Sequence, residues 1–130
     1  MSGQGVVLII EDNPRNLKLA RDVLKHAGYA ILEAENAEDG LELAQAQRPG
    51  VVLMDVQLPG MDGVQALGRL RADPVTADIP VIALTAFAMK ADRERFLAIG
   101  FDHYLEKPLD IRELPRQVAA AIAMAGRARA

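Results

Sequence analysis

The 130-residue chain predicts a single α/β domain, a five-stranded parallel sheet with helices on both faces. Two observations predict this. Short apolar runs alternate with helix-patterned segments five times, the signature of successive βα units. The runs are also continuous and rich in β-branched residues, as expected of strands covered on both sides.

Val6–Ile10 (VVLII) is the first such run. Asn13 followed by Pro14 starts the first helix: a capping side chain, then a residue whose missing N–H costs nothing there. Leu17, Ala20, Val23, Leu24 and Ala27 fall on one face of that helix, charged residues fall on the other, and Gly28 ends it. Ala30–Ala34 is a shorter second strand, expected at an edge. Asn36 and Asp39 resemble a capping box for a second helix carrying Leu41, Leu43 and Ala44 and stopping before Pro49. Val51–Met54 is the third strand, Gly63–Ala72 is helical, and Pro74 breaks that helix. Val81–Leu84 is the fourth strand, with Pro80 at its tolerant leading end. Ala91–Ile99 is helical up to Gly100, and His103–Leu105 makes a brief fifth strand. Asp110 and Glu113 suggest a capping box for a last helix with Ile111, Leu114, Val118, Ala121 and Ala125 on one face. Pro115 conflicts with that start, so either the helix begins later than Asp110 or its first turn is distorted.

Right-handed crossovers allow the doubly wound, flavodoxin-like (βα)5 order 2-1-3-4-5, which opens a crevice at the carboxyl ends of strands 1 and 3. The polar residues collect there. Strand 1 runs into Glu11 and Asp12, strand 3 into Asp55, strand 4 into Thr85, and strand 5 into Lys107. Three carboxylates sharing a crevice need compensating charge. Mg²⁺ is the natural cation, since it takes a few carboxylates and keeps several waters. With Lys107 it brings the charge of the empty site to zero. Converting Asp55 to an acyl phosphate would add negative charge, which the Thr85 hydroxyl and backbone N–H groups after strands 3 and 4 can meet.

Composition narrows the alternatives. The net charge is −3 with basic residues scattered among acids, so the basic stripe of a nucleic-acid binder is missing. Cysteine is absent, which excludes disulfides and thiolate metal sites. The apolar stretches are too short to span a bilayer, and the first residues lack the pattern of a secretory signal. A single cytoplasmic domain over 1–130, with its core at about 6–125 and a short tail, is the expectation.

The motifs VLIIEDN, VVLMDVQLPGMDG, PVIALTA and YLEKP, in order and each at a strand end, resemble the receiver domain of two-component response regulators. The resemblance implies that Asp55 is the phosphoacceptor, supplied by a phosphohistidine on a partner kinase or phosphotransferase. It implies that Asp12 ligates Mg²⁺ (or Mn²⁺) directly, that Glu11 acts mainly through metal-bound water, and that the Gln57 main-chain carbonyl completes the ligands. Lys107 would pair with phosphoryl oxygens, and Pro108 suggests a cis peptide. Thr85 would shift toward the phosphate and Tyr104 rotate inward, altering a surface of helix 4, strand 5 and helix 5 that a downstream protein reads. Such a protein is a signal-transfer module, not a turnover enzyme, monomeric or weakly dimeric when phosphorylated. TAFAMKADRERF is most similar to stand-alone receivers of the DivK cell-cycle type; a receiver cut from a hybrid kinase or multidomain regulator is the alternative.

Other residues admit plainer readings. Phe87 and Met89 fit core packing or partner contact equally, Leu19 fits boundary packing or phosphodonor docking, and His26 and His103 read as solvated or structural. Gly60, Gly63 and Pro59 are turn residues. A phosphatase of the haloacid dehalogenase kind would want a second Asp where Gln57 stands. A flavin binder would want a hydroxyl- and Gly-rich loop in place of EDNPRN.

Overall fold

The computed structural model describes residues 5–86 and 89–129, with side chains described through residue 125; Phe87 lies outside the described residues. Strands β1 (Val6–Ile10), β2 (Ala30–Ala34), β3 (Val51–Asp55), β4 (Val81–Thr85) and β5 (His103–Glu106) alternate with helices α1 (Pro14–His26), α2 (Ala37–Gln47), α3 (Gly63–Ala72), α4 (Lys90–Ile99) and α5 (Glu113–Arg129). The strands form one parallel sheet in the order β2-β1-β3-β4-β5, as the sequence predicts, with β2 at an edge. β3, β4 and β5 each run one residue past their apolar pattern, because Asp55 still pairs with Leu84 and Thr85 with Glu106.

The continuous apolar runs supply two cores, since alternate residues of a strand point to opposite faces. Val7, Ile9, Leu53, Ile82 and Leu84 pack with α1 (Leu17, Ala20, Leu24) and α5 (Leu114, Val118, Ala121). Leu8, Ile10, Val52, Met54 and Ala83 pack with α2, α3 and α4 on the other side. Attachment to that second face is uneven. α3 buries Ala66, Leu67 and Leu70, whereas α4 buries Phe96 alone, edge-on to Phe101 with ring centroids 6.0 Å apart.

Helix ends follow local chemistry. Asn13 Oδ1 accepts from the N–H groups of Arg15 and Asn16 at 2.9 and 3.2 Å, with Pro14 at the first helical position. Asn36 Oδ1 accepts from Asp39 N–H, and its amide returns a bond to the Asp39 carboxylate instead of the reverse backbone bond of a full box. Gly28 and Gly100 have positive φ where α1 and α4 end. Ala27, expected on the buried face of α1, is its exposed C-cap residue.

The last helix departs from the sequence expectation. Asp110 Oδ1 accepts from the N–H groups of Arg112 and Glu113, forming a turn before α5 begins at Glu113. Ile111 sits in that turn and is 58% exposed, so it does not line the buried face. The later start resolves the Pro115 conflict: Pro115 is the third helical residue, where a backbone N–H would have no intrahelical acceptor.

Candidate functional site

Strand register assembles the site. Ile10 pairs with Met54, so the residues that follow, Glu11 and Asp55, lie side by side. Asp55 is opposite Leu84, one residue before Thr85, and Thr85 is opposite Glu106, one residue before Lys107. The Lys107 N–H donates to the Thr85 carbonyl at 2.8 Å, which holds the end of β5 beside β4. The Lys107–Pro108 peptide is cis, as expected.

Lys107 bridges two carboxylates, with Nζ 2.7 Å from Glu11 Oε1 and 2.8 Å from Asp55 Oδ2. The other oxygens are held by main chain: Asp55 Oδ1 accepts from Gln57 N–H at 2.9 Å, and Glu11 Oε2 from Asn13 N–H at 3.1 Å. Glu11 is fully buried, Asp55 and Thr85 nearly so, and Asp12 is exposed at the mouth. Burial, and then the neighbouring Asp55 carboxylate, push the Glu11 carboxyl up to about 7, against the pull of Lys107 and the Asn13 N–H. Burial opposes the charge on Lys107, but its contacts with Asp55 and Glu11 outweigh that and raise its pKa, so it stays cationic.

Two features fit a divalent cation. One oxygen from each of Glu11, Asp12 and Asp55 lies within 4.8 Å of the others, a set of hard oxygen donors suited to Mg²⁺. Glu11 Oε1, though ion-paired with Lys107, has no aligned hydrogen-bond donor among the described residues. A buried carboxylate oxygen in that state is costly unless further positive charge arrives.

The remaining expected residues are more scattered. Tyr104 is half-buried on β5, opposite Ala83, and its hydroxyl accepts a hydrogen bond from Arg93 on α4 at 2.9 Å. Leu19 is half-buried, His26 is exposed, and His103 is half-buried at the far end of β5. Met89 is 77% exposed at the start of α4, so it is not a core residue. A cavity of about 550 Å³, lined by Pro80, His103, Gln117, Ala121 and Met124, lies at the amino ends of β4 and β5, away from the carboxylates.

Residues 7–119 match the family described as response regulator receiver domain. This chain belongs to that family. Receiver domains are signal-transfer proteins, and here the Glu11–Asp12–Asp55 cluster is positioned to bind Mg²⁺ and accept a phosphoryl group. The receiver is 43% identical over 105 residues to the polar-differentiation response regulator DivK of Brucella anthropi, covering 81% of this chain and 85% of that one. Its DivK counterpart in Brucella ovis is 41% identical over the same length. Among solved structures, the receiver domain of a sensor histidine kinase from Pseudomonas aeruginosa is 36% identical with a TM-score of 0.84. That likeness covers 94% of this chain and 99% of the other, whose active-site cleft holds a coordinated magnesium ion. The signal receiver domain of a histidine kinase from Syntrophus aciditrophicus, 29% identical, has a TM-score of 0.82 over 92% and 90% of the two chains. Among the described residues of this receiver, no helix is long and apolar enough to cross a membrane.

Two contributors to the receiver site escape sequence reasoning. Gly63 reads as a turn residue, but a Cβ there would stand 2.6 Å from the Asp55 carbonyl oxygen and 2.8 Å from Val56 Cα, so α3 abuts the backbone that carries Asp55. Arg93 lies within the stretch TAFAMKADRERF, which does not reveal its partner, and only the fold brings it to Tyr104.

Proposed function

We propose that Asp55 accepts a phosphoryl group from a phosphohistidine on a partner histidine kinase or phosphotransferase. The observation that carries this reading is the Asp55 carboxylate held between Lys107 Nζ and the Gln57 N–H, beside Glu11 and Asp12. Those contacts leave the carboxylate oriented for in-line attack, in which an O–P bond forms as the donor's N–P bond breaks. Lys107 is placed to follow the charge that builds on the phosphoryl oxygens, and the buried Thr85 hydroxyl to donate once they arrive. Asp12, Asp55 and the Gln57 carbonyl would hold Mg²⁺, or Mn²⁺ in its place, with Glu11 acting through bound water. The ion would supply charge neutralisation on the transferring group. The magnesium-bearing Pseudomonas receiver supports that assignment.

In the same reading, Thr85 and Tyr104 relay occupancy of Asp55 to the surface of α4, β5 and α5, where a downstream protein binds in the cytoplasm. The DivK likeness supports a cell-cycle role. The likeness to sensor-kinase receivers supports the alternative of a hybrid kinase domain.

Intact mass after incubation with acetyl phosphate tests the chemistry. The expected result is one added phosphoryl group that requires both Mg²⁺ and Asp55, and is lost in Asp55→Asn. Uptake that persists in Asp55→Asn would move the acceptor to another residue.

A further inference from the structure

Arg93 meets Tyr104 at its hydroxyl and at its ring. Its Nη1 donates to the Tyr104 hydroxyl at 2.9 Å, and its guanidinium carbon lies 5.5 Å from the ring centroid. A cation at that distance from an aromatic ring is attracted to the π system as well as bonded to the hydroxyl. Tyr104 lies opposite Ala83 on the ladder, two positions from Thr85, and its ring packs against the core under α2, α3 and α4. Arg93 is one turn from Phe96, the single buried side chain of α4. The Phe96 anchor and the Arg93–Tyr104 contact therefore sit together on the face of α4 that meets the sheet. Movement of Tyr104 toward Thr85 would carry its hydroxyl away from Arg93 and weaken one of the two.

The structure assigns Arg93 as the positioning residue that sets the resting orientation of Tyr104, and through it how firmly α4 is held to the sheet. The assignment rests on the receiver switch proposed above and adds what the four strand-end motifs do not encode: the resting bias of this particular chain. A hydrogen bond plus a partly exposed cation–π contact corresponds to a roughly three- to ten-fold bias in the Tyr104 population.

The chain has two tyrosines and no tryptophan, so ¹⁹F NMR of protein carrying 3-fluorotyrosine isolates Tyr104 once Tyr29→Phe assigns the other signal. In unphosphorylated protein, Arg93→Ala is expected to move the Tyr104 resonance toward its position in the phosphorylated wild type. It should also speed amide exchange across residues 90–99 by about three- to ten-fold. Arg93→Lys, which keeps the cation but loses the planar donor, should fall between. In a Tyr104→Leu background, which removes the hydroxyl and the ring face together, Arg93→Ala should change α4 exchange far less, which a purely structural role for Arg93 would not predict. If the resonance and exchange of Arg93→Ala coincide with wild type in resting protein, the assignment is overturned. The switch reading fails separately, if wild type gains no phosphoryl mass; the difference between Arg93→Ala and wild type in resonance and in exchange across residues 90–99 is read in unphosphorylated protein and still decides the Arg93 assignment.

Discussion

Two residues outside the acidic cluster carry consequences that their types alone would not suggest. Gly63 is the first residue of α3, and the atoms its missing Cβ would meet are backbone, which cannot rotate aside. Gly63→Ala should therefore destabilise the domain by roughly 1–3 kcal/mol and slow phosphoryl uptake, because relief must displace the strand end bearing Asp55. Urea unfolding and time-resolved intact mass measure the two effects, and full stability with normal uptake would show that α3 yields freely. His103 is a quieter case. Burial lowers its pKa below the ordinary 6.5, with Glu113 pulling weakly the other way, while Asp78, Asp102 and Gln117 share its cavity. The unfolded chain then binds the proton more readily, so this contribution to stability is present above about pH 6.5 and fades as pH falls. The stability difference between wild type and His103→Gln should shrink, or change sign, on acidification. Comparing the two proteins cancels the buried Glu11, whose raised pKa acts in the opposite direction over part of the same range.

At the scale of the element, some boundaries are legible from one or two residues and others are not. Asn13–Pro14 and the glycines at 28 and 100 announce their helix ends in one or two residues. The capping box of α3, in which Asp62 and Gln65 satisfy each other's backbone N–H, passes unread because PGMDG looks like an extended turn. The sequence leaves the start of α5 between two readings for a related reason: Asp110 caps a turn, and the capping pattern cannot distinguish a turn from the first turn of a helix. α2 ends on Arg48 in the left-handed region, φ 47° and ψ 64°, a conformation that costs a residue with a Cβ. Arg48→Gly should thus stabilise the protein by about 0.5–1 kcal/mol, visible as a higher urea midpoint at unchanged slope, with unaltered phosphorylation. A loss of stability would mean that the added freedom of the unfolded chain outweighs the relief.

Across the whole molecule, the two ends of the sheet do different work. The carboxyl ends hold the chemistry, while the amino ends of β4 and β5 are tied together by Arg71 of α3. Its guanidinium donates to the carbonyls of Ala77, Ile79 and Gly100 at 3.0, 2.6 and 3.2 Å and to Asp102 Oδ2 at 2.7 Å. The same Asp102 oxygen accepts from Val81 N–H at the start of β4. One side chain thereby joins the α3–β4 loop, the end of α4 and the approach to β5. Arg71→Met keeps the apolar stem but strips the donors from those carbonyls, and should cost roughly 2–3 kcal/mol by denaturant unfolding. Phosphoryl uptake should survive, since the network lies at the opposite end of the sheet from Asp55. A matching loss of uptake would show instead that the two ends are coupled.

The sequence by itself determined the five βα units, a parallel sheet, and the placing of Glu11, Asp12, Asp55, Thr85 and Lys107 each just after the carboxyl end of a strand or at it. Those features follow from strand periodicity and from residues standing immediately after each strand, information local to a few positions. Only the tertiary structure decided that Lys107 bridges Glu11 and Asp55, that Gly63 is pressed against the phosphoacceptor strand, and that Arg71 and Arg93 tie α3 and α4 to distant segments. Each of those contacts joins side chains whose meeting depends on the packing of whole elements, and a long cationic side chain looks the same in sequence whether it ends in solvent or on a carbonyl.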